Sequence, residues 1–543
     1  MAASLSLGKF FLGGSIFFVC INWGIEGTRV DPIWIHYRGR WKELTIKSFF
    51  TGLLEENFKP KWRLFRARPS IAILMGVVIL HLIGMIWTPD AHEGWNDLKI
   101  KLPMLLIPMV IGTSRPLEKK IFEYLLLVFV LAVFVSSATS ILVWNKIIIP
   151  IRQINELRDA SLFVPLIRLS LMCALSVFFL GRWVFRVKSS VSKIAAIALI
   201  VWFVWFLQFM QSLTGLVILF SGGYILLVVM AFIYRKRIFA ISLLVVFVIV
   251  TITGGYFTTK LYKKNFTIHP IDKQHLEKYT RQGHPYTFEL NSTMIENGNQ
   301  VMVYCSWYEL DSAWNSRSKI ELNGGKDVNG NPVSITLIRY LASKGERKDG
   351  DAVGKLSAAE IIAIENGATN ALDASRSPIE KRLYQVFWEI YHYANGASPS
   401  GNSVTMRMEL AQTALICVEQ HPWIGAGTGA QQKTFATHYK TEGTKLGEQW
   451  QWLHSHNQLL SIAVCLGIPG LLYFIFSLWY APRSMKRWRS YLYLAFFIVF
   501  FLSFWDDDTL ETSQGVNFFA FFNALFLYTM PRESAIRTDE LEK

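Results

Sequence analysis

The chain has 543 residues, 52% of them hydrophobic and 14% aromatic against 17% charged, which excludes a disordered chain, a collagen-like repeat and a basic nucleic-acid-binding coil. Its uncharged apolar runs are long enough to cross a hydrocarbon core of about 30 Å. The net charge of +15 therefore reads as Lys and Arg gathered in cytoplasmic loops, with no nucleic-acid partner implied. Five cysteines make no zinc or redox spacing: Cys20, Cys173 and Cys465 lie in apolar runs, while Cys305 and Cys417, in the polar part of the chain, could pair in an oxidising compartment.

In chain order, spans are expected at roughly 8–24, 71–88, 98–113, 121–144, 165–181, 194–211, 214–234, 238–257, 457–480, 490–505 and 514–531. The first lacks a basic leader and a small-residue cleavage site and is read as an anchor. The stretch 98–113 is short and starts with Lys99 and Lys101, and Leu44 to Leu54 is a candidate interfacial or re-entrant helix outside this count. Basic connections (Arg182/Arg186/Lys188/Lys193, Arg235/Lys236/Arg237, Arg483/Lys486/Arg487/Arg489) alternate with neutral or acidic ones, which places the basic side in the cytoplasm. By the same alternation Pro89 to Asp97 and Asp506 to Glu511 face outward, as does the N-terminus, which the helix near residue 50 would reverse if it counted as a span. The expected architecture is mainly α: a polytopic helix bundle of about 11–12 spans with a large mixed α/β outer domain. Its parts are a first bundle over 1–257, the outer domain over 258–453, C-terminal spans over 454–531 and a cytoplasmic tail over 532–543.

The outer segment from Thr258 to Leu453 carries 21 Lys plus Arg and 20 Asp plus Glu, so the excess positive charge lies elsewhere. Asn297-Gly298 predicts a hairpin turn, followed by a strand with Val301, Val303 and Cys305 on one face. Ser357 and Glu360 form a capping box for a short helix that Gly367 closes, and Arg382 to Tyr393 has helical apolar spacing. Val404 to Val418 carries an apolar stripe at 404, 408, 411, 415 and 418, suited to the bilayer surface or to the bundle.

Where this segment re-enters the membrane stands His454-Ser-His456-Asn457, running into Gly467-Ile-Pro469-Gly470-Leu-Leu. A metal-binding reading of the His-x-His pair is disfavoured, because i, i+2 spacing sends the rings to different faces once a helix has begun. Gly425-Ala-Gly427-Thr-Gly429 lacks the flanking strand and helix of a dinucleotide loop and reads as a tight turn. Asp506, Asp507, Asp508 and Glu511 read either as an acidic outer loop or as a divalent-cation site.

His456-Asn457 with Leu459, Leu460 and Gly467-Ile-Pro-Gly-Leu-Leu resembles the signature of the O-antigen ligase and O-antigen polymerase superfamily. Ser212-Leu-Thr214-Gly215-Leu resembles that family's Ser-Arg-x-Gly-Leu block, with Leu213 at the arginine position. Arg407, followed by His421-Pro422-Trp-Ile-Gly425-Ala-Gly427, resembles its Arg-x-x-x-Trp and Pro-x-x-Gly-x-Gly blocks, with Ala411 at the tryptophan position. The outer domain, with Arg281-Gln-Gly-His-Pro-Tyr and Leu337-Ile-Arg-Tyr, is similar to long-loop members of Bacteroidetes type.

The resemblance implies an inverting membrane glycosyltransferase of the C type in a bacterial inner membrane. It would move a glycan from an undecaprenyl pyrophosphate carrier to an acceptor hydroxyl on the periplasmic face, without a metal or other cofactor. The leading acceptor is lipid A-core; an O-antigen polymerase and a protein O-oligosaccharyltransferase share the chemistry, and a lipid-linked glycan flippase is the rival of a different class. Such a transfer needs a base for the hydroxyl proton and cations for the leaving pyrophosphate. His456 is the expected base, with Asn457 orienting it or the acceptor. Arg407 is the expected pyrophosphate contact and Arg168, at the outer end of an apolar run, the second. His454 and His438 are secondary acceptor-side candidates, with solvated outer-domain histidines as the plainer reading.

Overall fold

The computed structural model describes residues 1–25, 53–150, 154, 157–272 and 274–531. Most of Leu44 to Leu54, and all of the C-terminal tail, lie outside these residues. The chain forms two compact units: Met1–Leu243 with Leu410–Gly443 and Gln451–Lys543, and Leu244–Glu409 with Thr444–Trp450.

The helices are α1 (Lys9–Ile25), α2 (Lys59–Ala67), α3 (Pro69–Gly84), α4 (Ala91–Lys101), α5 (Pro103–Thr113), α6 (Lys119–Trp144), α7 (Leu166–Arg186), α8 (Ser190–Phe209), α9 (Leu213–Ile233) and α10 (Arg237–Phe266). After the strands of the second unit come α11 (Trp307–Asn315), α12 (Val333–Ser343), α13 (Gly350–Gly354), α14 (Ala358–Glu365), α15 (Pro378–Ala394), α16 (Ser403–Gln420), α17 (Gln431–Thr441), α18 (Gln458–Ser484), α19 (Tyr491–Asp506) and α20 (Ser513–Ala524). Among the described residues six helices, α6 to α10 and α18, are long and apolar enough to cross a membrane. The pair α2 and α3, bent by 86°, makes a seventh if it counts as one span. That is fewer than the eleven apolar runs. The run 98–113 divides between α4 and α5, because Pro103 follows Leu102 and cannot donate to a continuous helix. The runs at α1 and α19 form shorter apolar helices, and the last run forms α20 with a π-helical continuation over Leu525–Thr529.

In the first unit α7 packs against α8, α9 and α19, α3 against α5 and α18, and α20 against α5. The aromatic content concentrates where α6, α7, α19 and α20 meet. Phe129 contacts Phe179, Phe518 and Phe522, and Phe500 contacts Phe518, with ring centroids 4.7–6.1 Å apart. Lipid tails are as apolar as leucine, so these helices are held by close packing of large rings, with little help from the hydrophobic effect.

Helix α18 is broken at Gly467, whose φ of 69° is left-handed. Its neighbour is the segment 421–429: Ala426 N–H donates to Val464 O (2.8 Å), Gly427 N–H to Cys465 O (3.0 Å) and Ile468 N–H to Pro422 O (2.8 Å). The tight turn expected from the glycines is thus a backbone stitch. A Cβ on Gly425 (φ 70°) would stand 2.4 Å from the Cys465 carbonyl, and one on Gly467 would stand 2.7 Å from the Trp423 backbone, so neither position accepts a side chain. Thr428 continues the stitch, donating its hydroxyl to His81 O (2.6 Å) in α3 and accepting at its own carbonyl from Thr88 Oγ1 (2.7 Å).

The second unit is mainly helical, with four short strands: β1 (Thr287–Phe288), β2 (Ile295–Glu296), β3 (Asn299–Gln300) and β4 (Val303–Cys305). Strands β2 and β3 form the expected hairpin; Asn297 (φ 48°) and Gly298 (φ 80°) give the two left-handed residues such a turn requires. Val301, Val303 and Cys305 are all buried, though β4 pairs with β1 and not within that hairpin. The capping box at Ser357 and Glu360 opens α14, and Gly367 (φ 86°) follows its end. Leu310, Trp314, Leu337, Leu341, Val353 and Ile364 make the core of this unit. Cys305 and Cys417 are buried free thiols, so the disulfide considered for them is not formed. On α16 the stripe residues Met408 and Leu415 are exposed and Val404, Ala411 and Val418 half-buried, while Leu410, Ala414 and Cys417 are buried, so the stripe lies on the outer side of the helix.

Candidate active site

Helix α18 starts at Gln458, so both imidazoles of His454-Ser-His456 precede it and the helical divergence expected of their spacing does not apply. His456 instead adopts φ 48°, a left-handed conformation that few non-glycine residues take. The kink turns Ser455 inward, where its hydroxyl meets Ser461 Oγ at 2.9 Å. Asn457 caps α18: its carboxamide oxygen accepts from the N–H groups of Leu459 (3.0 Å) and Leu460 (3.1 Å), and Nδ2 donates to Trp505 O (3.4 Å). Asn457 therefore fixes where His456 stands, through the backbone.

Against these histidines packs the turn after α19. Asp507 and Asp508 are both buried. His456 Nδ1 or Nε2 and one carboxylate oxygen of each aspartate lie within 4.8 Å of one another. Asp508 Oδ2 is 3.5 Å from His454 Nδ1, and Asp507 holds an ion pair with Arg168, whose Nε also donates to Thr512 Oγ1 (3.1 Å). Asp506 accepts from Thr214 Oγ1 (2.5 Å) on α9. Behind this layer Glu511 accepts from Lys101 Nζ (2.6 Å) and Gln458 Nε2 (2.9 Å), and Lys101 also pairs with Asp97. The acidic run is therefore a hub that gathers α4, α7, α9 and α18 around the histidines.

Arg168 is buried with a protein counter-ion, which is how a charge at the end of an apolar helix is sustained. His454 is half-exposed and paired, not simply solvated. His438, also expected to be solvated, is buried on α17, with no hydrogen-bond partner for Nδ1 among the described residues. Arg407 is half-buried on α16, in the part of that helix that belongs to the second unit, and is engaged in an interaction. The first unit thus brings together His454, His456, Asn457 and Arg168. The hub at 506–512 was read in the sequence only as a loop or a cation site. Its signal was the pair of lone cations Lys101 and Arg168 in apolar surroundings, each in need of a carboxylate.

His456, Asp507 and Asp508 could offer ligand atoms to a cation, but the two carboxylates already carry Arg168 and His454. A divalent ion there would have to share the two carboxylates with the guanidinium and the imidazole that already pair with them. What the arrangement provides is an imidazole beside an oriented carboxylate, the pairing that sets up a general base.

The hydrogen bond to Asp508 holds the His454 pKa above its ordinary value. Burial alone would raise Asp508, but the bond from His454 and the nearby histidine and arginine charges outweigh it and leave the carboxyl below the ordinary range. Because the folded-state pKa of His454 is raised, its stabilisation is complete below about pH 6.5 and is lost as pH rises through the raised value; Asp508 acts oppositely, losing its contribution as pH falls through its lowered value. Melting temperature should therefore decline from pH 6.5 upward, and His454→Gln should flatten that decline. An unchanged slope in the variant would show that the pair does not form.

Residues 362–475 match the family model described as O-antigen ligase. The match is confined to that segment and supports the resemblance of the chain to the O-antigen ligase superfamily. The matched segment contains Arg407, His438, His454, His456 and Asn457 and ends before the acidic hub. No curated protein matches the chain. The superfamily supports a multi-pass membrane protein with ligase- or polymerase-type activity on lipid-linked glycan.

Proposed function

We propose that the protein is an O-antigen ligase-like inverting glycosyltransferase. It moves a glycan from undecaprenyl pyrophosphate to a hydroxyl of lipid A-core on the periplasmic face of the inner membrane, without a metal ion. The observation that carries this reading is the placement of His456, inside the segment matched to O-antigen ligase, beside the buried carboxylate Asp508 at the start of α18. His456 takes the acceptor proton as the hydroxyl attacks the anomeric carbon, and Asp508 stabilises the imidazolium that forms. Departure of the pyrophosphate is assisted by cations, for which Arg407 is the leading residue because its planar fork binds phosphate oxygens two at a time.

The test is transfer by the purified full chain, given carrier-linked glycan and, in separate reactions, lipid A-core, free glycan or an acceptor protein. Activity with lipid A-core in excess chelator is expected. Product with free glycan alone would identify a polymerase, and product with protein alone an oligosaccharyltransferase. Activity that returns only with added Mg²⁺ or Mn²⁺ would move the chemistry to Asp507 and Asp508. No product with any acceptor, alongside movement of donor across vesicles, would mark a flippase.

Arg407→Ala should weaken donor binding as well as transfer, since the pyrophosphate is charged before it leaves and more so as it leaves; Arg407→Lys should restore only part. Donor binding to the Ala variant equal to that of the parent would remove Arg407 from the pyrophosphate site.

A further inference from the structure

A cavity of about 460 Å³ opens among α6, α7 and α8, within the first unit. Four basic side chains, Lys119, Arg182, Arg186 and Lys188, line it against one carboxylate, Glu123. The rest of the lining is largely apolar: Leu126 and Val130 come from α6 and Leu199 from α8, with Trp183 among the arginines. One part of the cavity is therefore cationic and the other greasy. It also lies far from the histidines. Arg168, at the acidic hub, and Arg186 are 18 positions apart on the same helix, roughly 27 Å at 1.5 Å per residue, nearly the thickness of a bilayer core.

We propose that this cavity holds one anionic phospholipid, its phosphate among Arg182, Arg186, Lys119 and Lys188 and an acyl chain along Leu126, Val130 and Leu199. Cations explain a phosphate and apolar walls explain a chain; only a lipid joins both in one molecule. Guanidinium forks suit phosphate oxygens, and a tryptophan beside them suits the headgroup level. A volume of this size takes a headgroup with the start of its chains, the remainder running on into the surrounding bilayer. The rule that basic residues collect at one face would by itself place them in any connection; it does not converge four of them on a cavity with an apolar wall. Occupancy would pin α6, α7 and α8 together at the end of the bundle opposite the histidines, independently of the transfer chemistry.

Native mass spectrometry of the full chain in detergent tests this, with phosphatidylglycerol, phosphatidylcholine and inorganic phosphate as separate probes. One phosphatidylglycerol per chain should be retained in clear preference to phosphatidylcholine, and inorganic phosphate should not be held. Arg182→Gln with Arg186→Gln should weaken that binding roughly thirtyfold, the effect of two basic charges on an anionic headgroup. Lys236→Gln with Arg237→Gln, which removes two charges outside the cavity, should leave it unchanged. Leu199→Trp fills the apolar wall while keeping every charge and should also expel the lipid, so the result does not depend on the arginine variant folding. Equal retention of both phospholipids, equal loss in the Lys236/Arg237 variant, or parent-like binding by Leu199→Trp would overturn the proposal. Inorganic phosphate held as tightly as the lipid would reduce the cavity to a free-anion site and overturn it too.

Discussion

His456→Ala is expected to lower transfer by roughly 10²–10⁴-fold, the range for a positioned acid or base, while carrier-linked donor still binds. The imidazole stands before the first turn of α18 beside buried Asp508, and imidazole is the side chain that most readily exchanges a proton at neutral pH. Alanine alone is an ambiguous test, because the site requires φ 48° and alanine tolerates that poorly. His456→Asn resolves this: asparagine accepts the left-handed turn but is no base, so it should fold like the parent, bind donor and remain as inactive as the alanine variant. Measured side by side, transfer rate, donor affinity and melting temperature separate the outcomes. Near-parental transfer in either variant would remove His456 from the chemistry.

The second large effect is structural. Arg168 and Asp507 are both buried and paired, so Arg168→Met leaves a carboxylate without its counter-ion in an apolar setting, which typically costs about 3–5 kcal/mol. Replacing both partners, Arg168→Met with Asp507→Leu, should recover much of that loss, since a buried pair exchanged for apolar residues of similar volume is often near neutral. The double variant also decides between two roles for the arginine. If Arg168 only sustains the hub, the refolded double variant keeps its affinity for donor. If it also contacts pyrophosphate, stability returns and donor affinity does not. A double variant no more stable than Arg168→Met would show that the pair is not the interaction at stake.

Elements whose cause is local were legible in the sequence. The spans α6 to α10 announce themselves by length and composition, the hairpin by Asn297-Gly298, and helix α14 by Ser357 and Glu360. The position of His456 and Asn457 at the start of a span was legible in the same way. Long-range partners were not. Arg168 and Asp507 are 339 residues apart and Lys101 and Glu511 are 410 apart, so a lone charge in an apolar run declares that a counter-ion exists without saying which. The division of 98–113 into α4 and α5 was half visible: Lys99 and Lys101 argue against one continuous span, and the break itself falls at Pro103. On α16 the apolar periodicity was real but marked the outward side, because the inward side is made of small residues, Ala414 and Cys417, beside Leu410 and Thr413.

The broken helix α18 behaves mechanically as two pieces. Its upper half, which begins with the Asn457 cap and carries His456 at its lip, is joined to the 421–429 loop by the Ala426 and Gly427 donors, and that loop is pinned to α3 through Thr428. Its lower half starts beyond Gly467, bonded to the loop through Ile468 and to α3 through Tyr473, whose hydroxyl donates to Ile73 O (3.0 Å). Tilting the upper half by itself would strip partners from Val464 and Cys465 carbonyls in a setting with no water to replace them. The first turns of α18, the glycine loop and α3 are therefore bonded into one block, to which Gln458 adds the acidic hub through Glu511, and the His456 imidazole is carried at its edge.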